Sequence, residues 1–136
     1  DAVRQKPDLS EPVAYGEYAA NAQLSCFSCH SESFETNNYW EPTESEGYMG
    51  GGNGSQFSRD GTKLIGPNIT PDPTGIGNWT KAQFIAAVKY GQVPDGKALR
   101  SPMMPHAAFS DEEIGAIYEY LQTVPKINNP VERKPY

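Results

Sequence analysis

The stretch that decides the fold is Cys26-Phe27-Ser28-Cys29-His30. It holds the two cysteines of the 136-residue chain and one of its two histidines. Three interpretations of a Cys-x-x-Cys pair fit the rest of the sequence poorly. A thioredoxin-like redox pair needs a surrounding βαβ pattern, and a zinc site needs a second pair of ligands; the sequence has neither. A disulfide between positions this close would constrain very little of the chain.

The histidine directly after the second cysteine favours a fourth interpretation. Two thiols three positions apart at the end of a helix can each add to a different vinyl group of one porphyrin. The imidazole that follows then lies under the ring and can bind iron. Cys-x-x-Cys-His is the attachment signature of a c-type haem. We therefore predict one haem c, covalent through Cys26 and Cys29, with His30 as an axial ligand.

Composition and charge set limits on the rest of the molecule. At 136 residues the chain is expected to form one domain, and 37% apolar residues with 13 Gly and 12 Pro indicate long loops and a thin core. A buried haem adds the apolar volume that the side chains lack. A net charge of -6 and a pI of about 4.8 argue against nucleic acid as a partner. No apolar run is long enough to span a bilayer.

The first predicted helix leads into the motif. Ser10-Glu11-Pro12 is typical of a helix start, and the apolar residues from Pro12 to about Leu24 recur at helical spacing. Gly16 interrupts this helix, and both a close helix–helix contact and simple tolerance account for it.

Two more helices are predicted from their capping signals. Thr80-Lys81-Ala82-Gln83 is a capping box that opens a helix ending at Gly91. Ser110-Asp111-Glu112-Glu113 is a second box, and its acidic residues also suit the helix dipole. Pro125 is expected to stop this last helix.

The domain organisation follows from these elements. Residues 1–10 are polar and are predicted to be an exposed leader or the remnant of a tether, and 11–124 form the haem domain. Within it, 31–63 is a long polar insertion, acidic at first and then Gly-rich. A hairpin around Arg59-Asp60-Gly61 is one structure for part of it, and its acidic residues are interpreted as solvated surface. The tail 125–136 is expected to be loosely held.

Together these features resemble class I cytochromes c. The attachment motif ends the first helix, Gly66-Pro67-Asn68-Ile69 is similar to a Gly-Pro-Asn-Leu segment of that class, and Met104-Pro105 precedes the last helix. Residues 68–72, 75–80 and 104–106 resemble, more closely, the haem domains of bacterial multi-haem dehydrogenase cytochrome subunits. The resemblance implies an all-α cytochrome c fold, with three to five helices around one covalent haem and long loops.

The resemblance also implies roles for individual residues. The carbonyl of Pro67 is expected to accept a hydrogen bond from His30 Nδ1–H, and Trp79 to donate to a haem propionate. The sixth iron ligand is expected to be Met104, with Met103 as the alternative. Met49 and His106 are weaker candidates; His106 is expected to face solvent. Several aromatic residues are candidates to wall the ring: Tyr39, Trp40, Tyr48, Phe57, Tyr90 and Phe109.

The predicted function is electron transfer rather than enzymatic catalysis. A His/Met-ligated iron cycling between Fe(III) and Fe(II) would carry single electrons from a dehydrogenase-type donor to a respiratory acceptor. The alternative is a haem enzyme or a gas or peroxide sensor with a displaceable sixth ligand. Partners are expected to be redox proteins with a basic docking patch. Because bacterial haem attachment occurs outside the cytoplasmic membrane, a periplasmic or extracytoplasmic location with a removed signal peptide is predicted.

Overall fold

The computed structural model describes residues 5–132, and the predicted leader and tail lie partly outside that range, at 1–4 and 133–136. The fold is mainly helical with long loops, so the predicted class is confirmed. The elements in chain order are α1 (Pro12–Tyr18), a π-helical turn (Ala19–Gln23), α2 (Cys26–His30), a 3-10 turn (Pro42–Glu44), β1 (Gln56–Phe57), β2 (Lys63–Leu64), α3 (Lys81–Tyr90) and α4 (Asp111–Leu121).

The capping boxes begin α3 and α4 as predicted. In α4, Ser110 Oγ accepts a hydrogen bond from the Glu113 N–H at 3.1 Å, and Glu113 Oε1 accepts one from the Ser110 N–H at 3.0 Å. Thr80 and Gln83 make the same reciprocal pair at the start of α3. Each box satisfies N–H groups that have no partner within their helix.

The first helix spans the predicted residues, from Pro12 to the cap residue Leu24, but it changes type along its length. It is α-helical only to Tyr18 and then widens into a π-helical turn. The buried aromatic residue is Tyr15, which is 2% exposed, whereas Val13 is 43% exposed. Apolar spacing alone does not reveal which of these side chains faces the last helix.

Gly16 has the packing role that was one of its two interpretations. A Cβ on Gly16 would lie 2.0 Å from the Ala116 carbonyl oxygen and 2.6 Å from its carbon. The backbones of α1 and α4 therefore cross at a distance that only glycine permits. Tyr15 strengthens this crossing, since its hydroxyl donates to Glu113 Oε2 at 2.5 Å. Tyr18, the last residue of α1, is only part-buried.

The main core lies between these helices. α4 packs against both α1 and α3. Buried apolar residues from all three helices and from the motif form a single cluster, and residues of the 31–63 segment join it. Its largest fully buried side chains are Phe27, Met49, Ile76, Ile114, Ile117 and Leu121.

The long 31–63 segment is packed rather than loose. Tyr48, Met49 and Asn53 are buried, and the Tyr48 hydroxyl donates to Asn21 Oδ1 at 2.7 Å and lies 2.8 Å from the hydroxyl of Tyr120. The predicted hairpin is present: β1 and β2 pair antiparallel, with Gln56 opposite Leu64.

The chain after α4 is also held, through 129. Asn68 Nδ2 donates to the Ile127 carbonyl at 2.7 Å, and the Ile127 N–H donates to Thr70 Oγ1 at 3.2 Å. Asn129 Nδ2 donates to the Gly50 carbonyl at 2.9 Å. The loose tail expected from Pro125 onward is therefore wrong for residues 127–129, because polar partners secure them. Within 5–132, no helix is long and apolar enough to cross a membrane.

Candidate haem site

The attachment motif forms α2, a helix of five residues. Ser25, just before it, adopts a left-handed backbone with φ of 52°, and this turn separates α2 from the π-helical turn. Cys26 and Cys29 are both half-buried and lie on one side of α2, as their spacing predicts. Burial raises the pKa of the Cys26 thiol to about 12. Phe27, between them, is buried on the core side.

A cavity of about 380 Å³ opens beside α2. Both cysteines and His30 line it, and apolar side chains from α3, α4, β2 and the loops make most of the remaining wall. Phe84, Val88, Ile117 and Leu121 are among them. A porphyrin is a flat apolar ring, so this combination of apolar walls, two thiols and an imidazole fits a covalent haem.

His30 is oriented by the backbone carbonyl of Pro67. Its Nδ1 lies 2.9 Å from that oxygen, and the side chain is 9% exposed. A carbonyl can only accept, so Nδ1 carries the proton and Nε2 keeps its lone pair for a metal. The locked φ of proline limits the movement of this carbonyl.

Gly66 allows the Pro67 segment to approach the motif. A Cβ on Gly66 would lie 1.8 Å from the Cys29 carbonyl oxygen. The chain therefore passes directly against the end of α2, which brings the next residue's carbonyl within reach of His30. Asn68 then fixes the segment from the other side: it is 1% exposed, and its Oδ1 accepts from the Thr70 N–H at 2.9 Å.

The 31–63 segment supports α2, a role that was not predicted from the sequence. A helix of five residues leaves its last carbonyls without partners inside the helix. Asn37 Nδ2 and Asn53 Nδ2 donate to the Ser28 carbonyl at 3.0 and 3.1 Å. Gln56 Nε2 donates to the Cys29 carbonyl at 3.1 Å. Loop amides thus supply the partners that a longer helix would have found in its own backbone.

The backbone of the same segment completes the support. The Gly51 N–H donates to the His30 carbonyl at 2.7 Å, and the Asn53 N–H donates to the Ser31 carbonyl at 3.1 Å. The carbonyls of four consecutive residues, 28 to 31, therefore accept from residues of 31–63. Asparagine and glutamine in a loop after a very short helix are the signal that could have suggested this role.

Met103 and Met104 both line the cavity. Met103 is half-buried and Met104 is 50% exposed. The loop that carries them is held by backbone hydrogen bonds: the Met103 N–H donates to the Arg100 carbonyl at 3.0 Å, and the His106 N–H donates to the Val88 carbonyl at 2.9 Å. The two candidate sixth ligands predicted from the sequence are thus brought to the same cavity as His30.

Met49 and His106, the weaker candidates for the sixth ligand, lie in different places. Met49 is fully buried in the helical core and is not part of the cavity wall. His106 does line the cavity, so the expectation that it faces solvent is wrong, because the loop folds back on α3 at Val88. Burial lowers the pKa of His106, and its ring packs edge-on against Phe109 at 6.1 Å between centroids.

Trp79 and Arg100 add polar groups to a mostly apolar wall. Trp79 lines the cavity, and its carbonyl accepts a hydrogen bond from the Tyr118 hydroxyl at 2.9 Å. Arg100, which the sequence did not single out, also lines it and pairs with Asp60 at 3.3 Å. Hydrogen bonds from Ser58 and Thr62, and then the Arg100 charge, hold the pKa of Asp60 below its usual range.

The aromatic residues expected to wall the ring do not line this cavity. Its aromatic members are Trp79 and Phe84. Of the six expected, four are well exposed: Tyr39, Trp40, Phe57 and Tyr90. Tyr48 is in the core instead, and Phe109 packs against the edge of it. An aromatic count contains no information on direction, so it could not tell which of these candidates face the ring.

Comparison with known proteins identifies the family. The family model described as cytochrome c matches residues 13–125, which is most of the chain. The protein belongs to the cytochrome c family. Its members bind haem c covalently, and Cys26 and Cys29 have the cysteine spacing that this attachment requires.

Similar proteins include cytochrome subunits of dehydrogenases. The alcohol dehydrogenase (quinone) cytochrome c subunit of Gluconacetobacter polyoxogenes is 37% identical over 124 residues, covering 88% of this chain and 23% of that protein. The fructose dehydrogenase cytochrome subunit of Gluconobacter japonicus is 31% identical, covering 89% and 24%. This chain therefore spans about a quarter of the length of these curated relatives. Membership of this family implies a role in electron transfer.

Proposed function

We propose that this protein carries single electrons on one haem c, with His30 and Met104 as the axial ligands of the iron. When bound, the haem supplies one-electron Fe(III)/Fe(II) chemistry. The observation that carries the proposal is that His30, held at Nδ1 by Pro67, and the Met103–Met104 pair line one apolar cavity.

The contribution of His30 is an oriented imidazole. With Nδ1–H donating to the Pro67 carbonyl, the ring cannot rotate freely and Nε2 becomes a stronger electron donor. The 31–63 segment keeps α2 in place beneath it through Asn53 and Gln56. These contacts support a proximal ligand whose position stays the same in both oxidation states.

The contribution of the methionine loop is a soft thioether, which favours Fe(II) and raises the potential. Met104 is assigned over Met103 because it stands directly before Pro105, as in the family that the sequence resembles. Met103 would then fill space beside the ring. Arg100 and Trp79 are assigned to the haem carboxylates, since an apolar wall needs donors for charged groups.

The proposed donor is a dehydrogenase, and the proposed acceptor belongs to a respiratory chain. The relatives named as dehydrogenase cytochrome subunits support the donor. A location outside the cytoplasmic membrane of a bacterium is proposed with it. No catalytic step is proposed, because haem binding alone explains why the two thiols, the imidazole and the thioethers line this cavity.

Absorption spectra test the ligand assignment. We expect the ferric protein to show a thioether-to-iron charge-transfer band, which Met104→Ala removes and the matched control Met103→Ala retains. Retention of the band in Met104→Ala together with its loss in Met103→Ala would reassign the ligand.

Carbon monoxide tests the second candidate, a haem enzyme or a gas or peroxide sensor. Two adjacent thioethers at the cavity are the feature that favours it, since one can leave while the other stays. We expect the reduced protein to bind carbon monoxide slowly and incompletely. Fast, complete binding by the wild-type protein would rule out the electron-carrier proposal.

A further inference from the structure

Residues 32–46 form an exposed surface, here called the acidic aromatic loop. Trp40 at its tip is 89% exposed, Tyr39 is 60% exposed and Phe34 is 38% exposed. Tryptophan is highly buried on average, and neighbouring exposed apolar side chains mark interaction sites. The cavity does not account for these residues, because none of them lines it.

The tip of the loop is held in one conformation. Asn38 Oδ1 accepts hydrogen bonds from the Trp40 N–H at 3.0 Å and the Glu41 N–H at 2.8 Å. The Asn38 N–H in turn donates to Ser45 Oγ at 2.9 Å, and Pro42 and Ser45 are buried. Trp40 therefore lies on an ordered turn. The loop loses less conformational entropy when a partner binds Trp40 than a flexible loop would.

The loop lies directly against the attachment helix. The rings of Tyr39 and Phe27 are 5.5 Å apart between centroids, and Phe27 stands between the two attachment cysteines. Asn37 Nδ2 donates to the Ser28 carbonyl within the motif. A protein that contacted Trp40 and Tyr39 would be separated from α2 by one layer of side chains.

The charge around the aromatic residues has a single sign. Between Pro7 and Ser58 the sequence has eight acidic residues and no Lys or Arg. Five of the acidic residues are exposed in the loop: Glu32, Glu35, Glu41, Glu44 and Glu46. In the described part of the chain, no three acidic, His or Cys side chains are grouped closely enough to hold a metal ion. The negative charge is thus spread over the surface of the loop rather than concentrated in an ion-binding site.

We propose that the acidic aromatic loop docks a redox protein whose contact surface has Lys and Arg side chains around an apolar pocket that Trp40 fills. The proposal rests on the electron-carrier function given above and assigns a surface to its partner. A buried tryptophan at the centre of an interface commonly supplies much of the affinity. Surrounding carboxylates would steer a basic partner toward it and accelerate association.

Electron exchange with tris(phenanthroline)cobalt(III) tests the surface. This ion combines positive charge with flat apolar ligands, as the proposed partner does. One electron passes from ferrous iron to cobalt(III), giving ferric iron and cobalt(II), and no bond to the protein forms or breaks. At low ionic strength we expect Trp40→Ala to lower the second-order rate constant about threefold in stopped-flow measurements. The control Tyr90→Ala removes an aromatic ring that is 57% exposed on α3 and should leave the rate unchanged.

Charge is tested with matched double variants. Glu35→Gln with Glu41→Gln should lower the rate about threefold at low ionic strength, and the difference should disappear at high salt. Glu112→Gln with Glu132→Gln removes the same charge from exposed positions elsewhere and should have a much smaller effect. With ferricyanide, an anion, the loop double variant should react faster rather than slower.

Two outcomes would overturn the proposal. If Trp40→Ala and Tyr90→Ala react at equal rates, electrons do not cross at this surface. If sedimentation shows a wild-type dimer that Trp40→Ala abolishes, the loop binds a second copy of the chain. Either outcome leaves the proposed electron-carrier function intact, because that function is tested separately, by the carbon monoxide experiment.

Discussion

Helices α2 and α4 are held in place by opposite means. α4 has eleven residues, its own capping box, three acidic residues in its first turn and a buried apolar stripe. α2 has five residues and no side-chain cap, and its carbonyls accept hydrogen bonds from Asn37, Asn53 and Gln56. α4 is specified by its own local sequence. α2 depends on residues up to 27 positions away in the chain.

This difference separates stability from cofactor geometry. A helix that carries its own signals can form early and serve as a platform, whereas a helix held by distant amides takes its position from the loop. Because His30 ends α2, the orientation of its imidazole, the proposed iron ligand, depends on the loop. Changes in the two helices should therefore differ in what they affect as well as in size.

The largest effect on stability is expected where α1 crosses α4. Gly16→Ala places a Cβ against the Ala116 carbonyl carbon and oxygen, which are backbone atoms that cannot move aside. We expect a loss of about 3 kcal/mol or more in the free energy of unfolding, measured by denaturant titration of the holoprotein. Gly115→Ala is the matched control: its Cβ meets Lys81 Cδ at an ordinary 3.5 Å, and it should be neutral or stabilising. Equal losses would contradict the crossing geometry.

The next largest effect is expected in the support of α2. Gln56→Ala removes the donor to the Cys29 carbonyl and to the Asn53 carbonyl, and Gln56 is 8% exposed. We expect a loss of about 2 kcal/mol together with a changed haem circular dichroism spectrum and a shifted potential. A loss of stability with an unchanged spectrum would mean that the loop does not set the position of His30.

A smaller effect, of a different kind, is expected in α4. Ser110→Ala removes the side-chain half of the capping box. The expected cost is about 1 kcal/mol, with no change in the haem spectrum or the potential, because the cap lies away from the cavity. Comparison with Gln56→Ala on the same two readouts tests whether the two helices differ as described. A spectral change in Ser110→Ala would remove the distinction.

The smallest effect is expected to depend on pH. Hydrogen bonds from the Tyr15 hydroxyl and then from the Ser110 N–H lower the pKa of Glu113 in the folded protein. The ionised carboxylate therefore stabilises the fold above the pKa of the unfolded chain, about 4.3, and this contribution is lost as the pH falls through the folded value. Glu113→Gln should be less stable than wild type at neutral pH and approach it in acid. A constant difference across that range would contradict the assignment.

The parts of the fold that the sequence predicted are those that depend on neighbouring residues. These elements depend on residues only a few positions apart, so their signals can be read from the sequence. They are the two capping boxes, the attachment motif and the hairpin around Arg59-Asp60-Gly61. The sequence predicted 31–63 only as a long polar insertion, and not as a support for α2. Its contacts to α2 span up to 27 residues, and the spacing of Asn53 and Gln56 does not reveal which carbonyls they reach.

The candidate site divides in the same way. Cys26, Cys29 and His30 follow from the motif, and resemblance to a family suggested Pro67, Trp79 and Met104, all of which the structure brings to the cavity or its support. Arg100 and His106 were not foreseen as lining residues, because direction along an irregular loop depends on the whole fold. Iron binding by Met104, with Met103 as the alternative, stays a prediction for spectroscopy.

The hydrogen bond between Asn68 and Ile127 has a consequence for how the protein can be immobilised on an electrode. Asn68 follows Pro67 directly and donates to the Ile127 carbonyl at 2.7 Å. A linker fused beyond residue 129 therefore pulls on Asn68 and, through it, on Pro67, whose carbonyl orients His30; Thr70 and Asn129 share this load. A linker fused ahead of Pro12 pulls on α1, which packs on α4. In protein-film voltammetry, the potential measured with the first linker is expected to vary with linker length, and that measured with the second to stay constant.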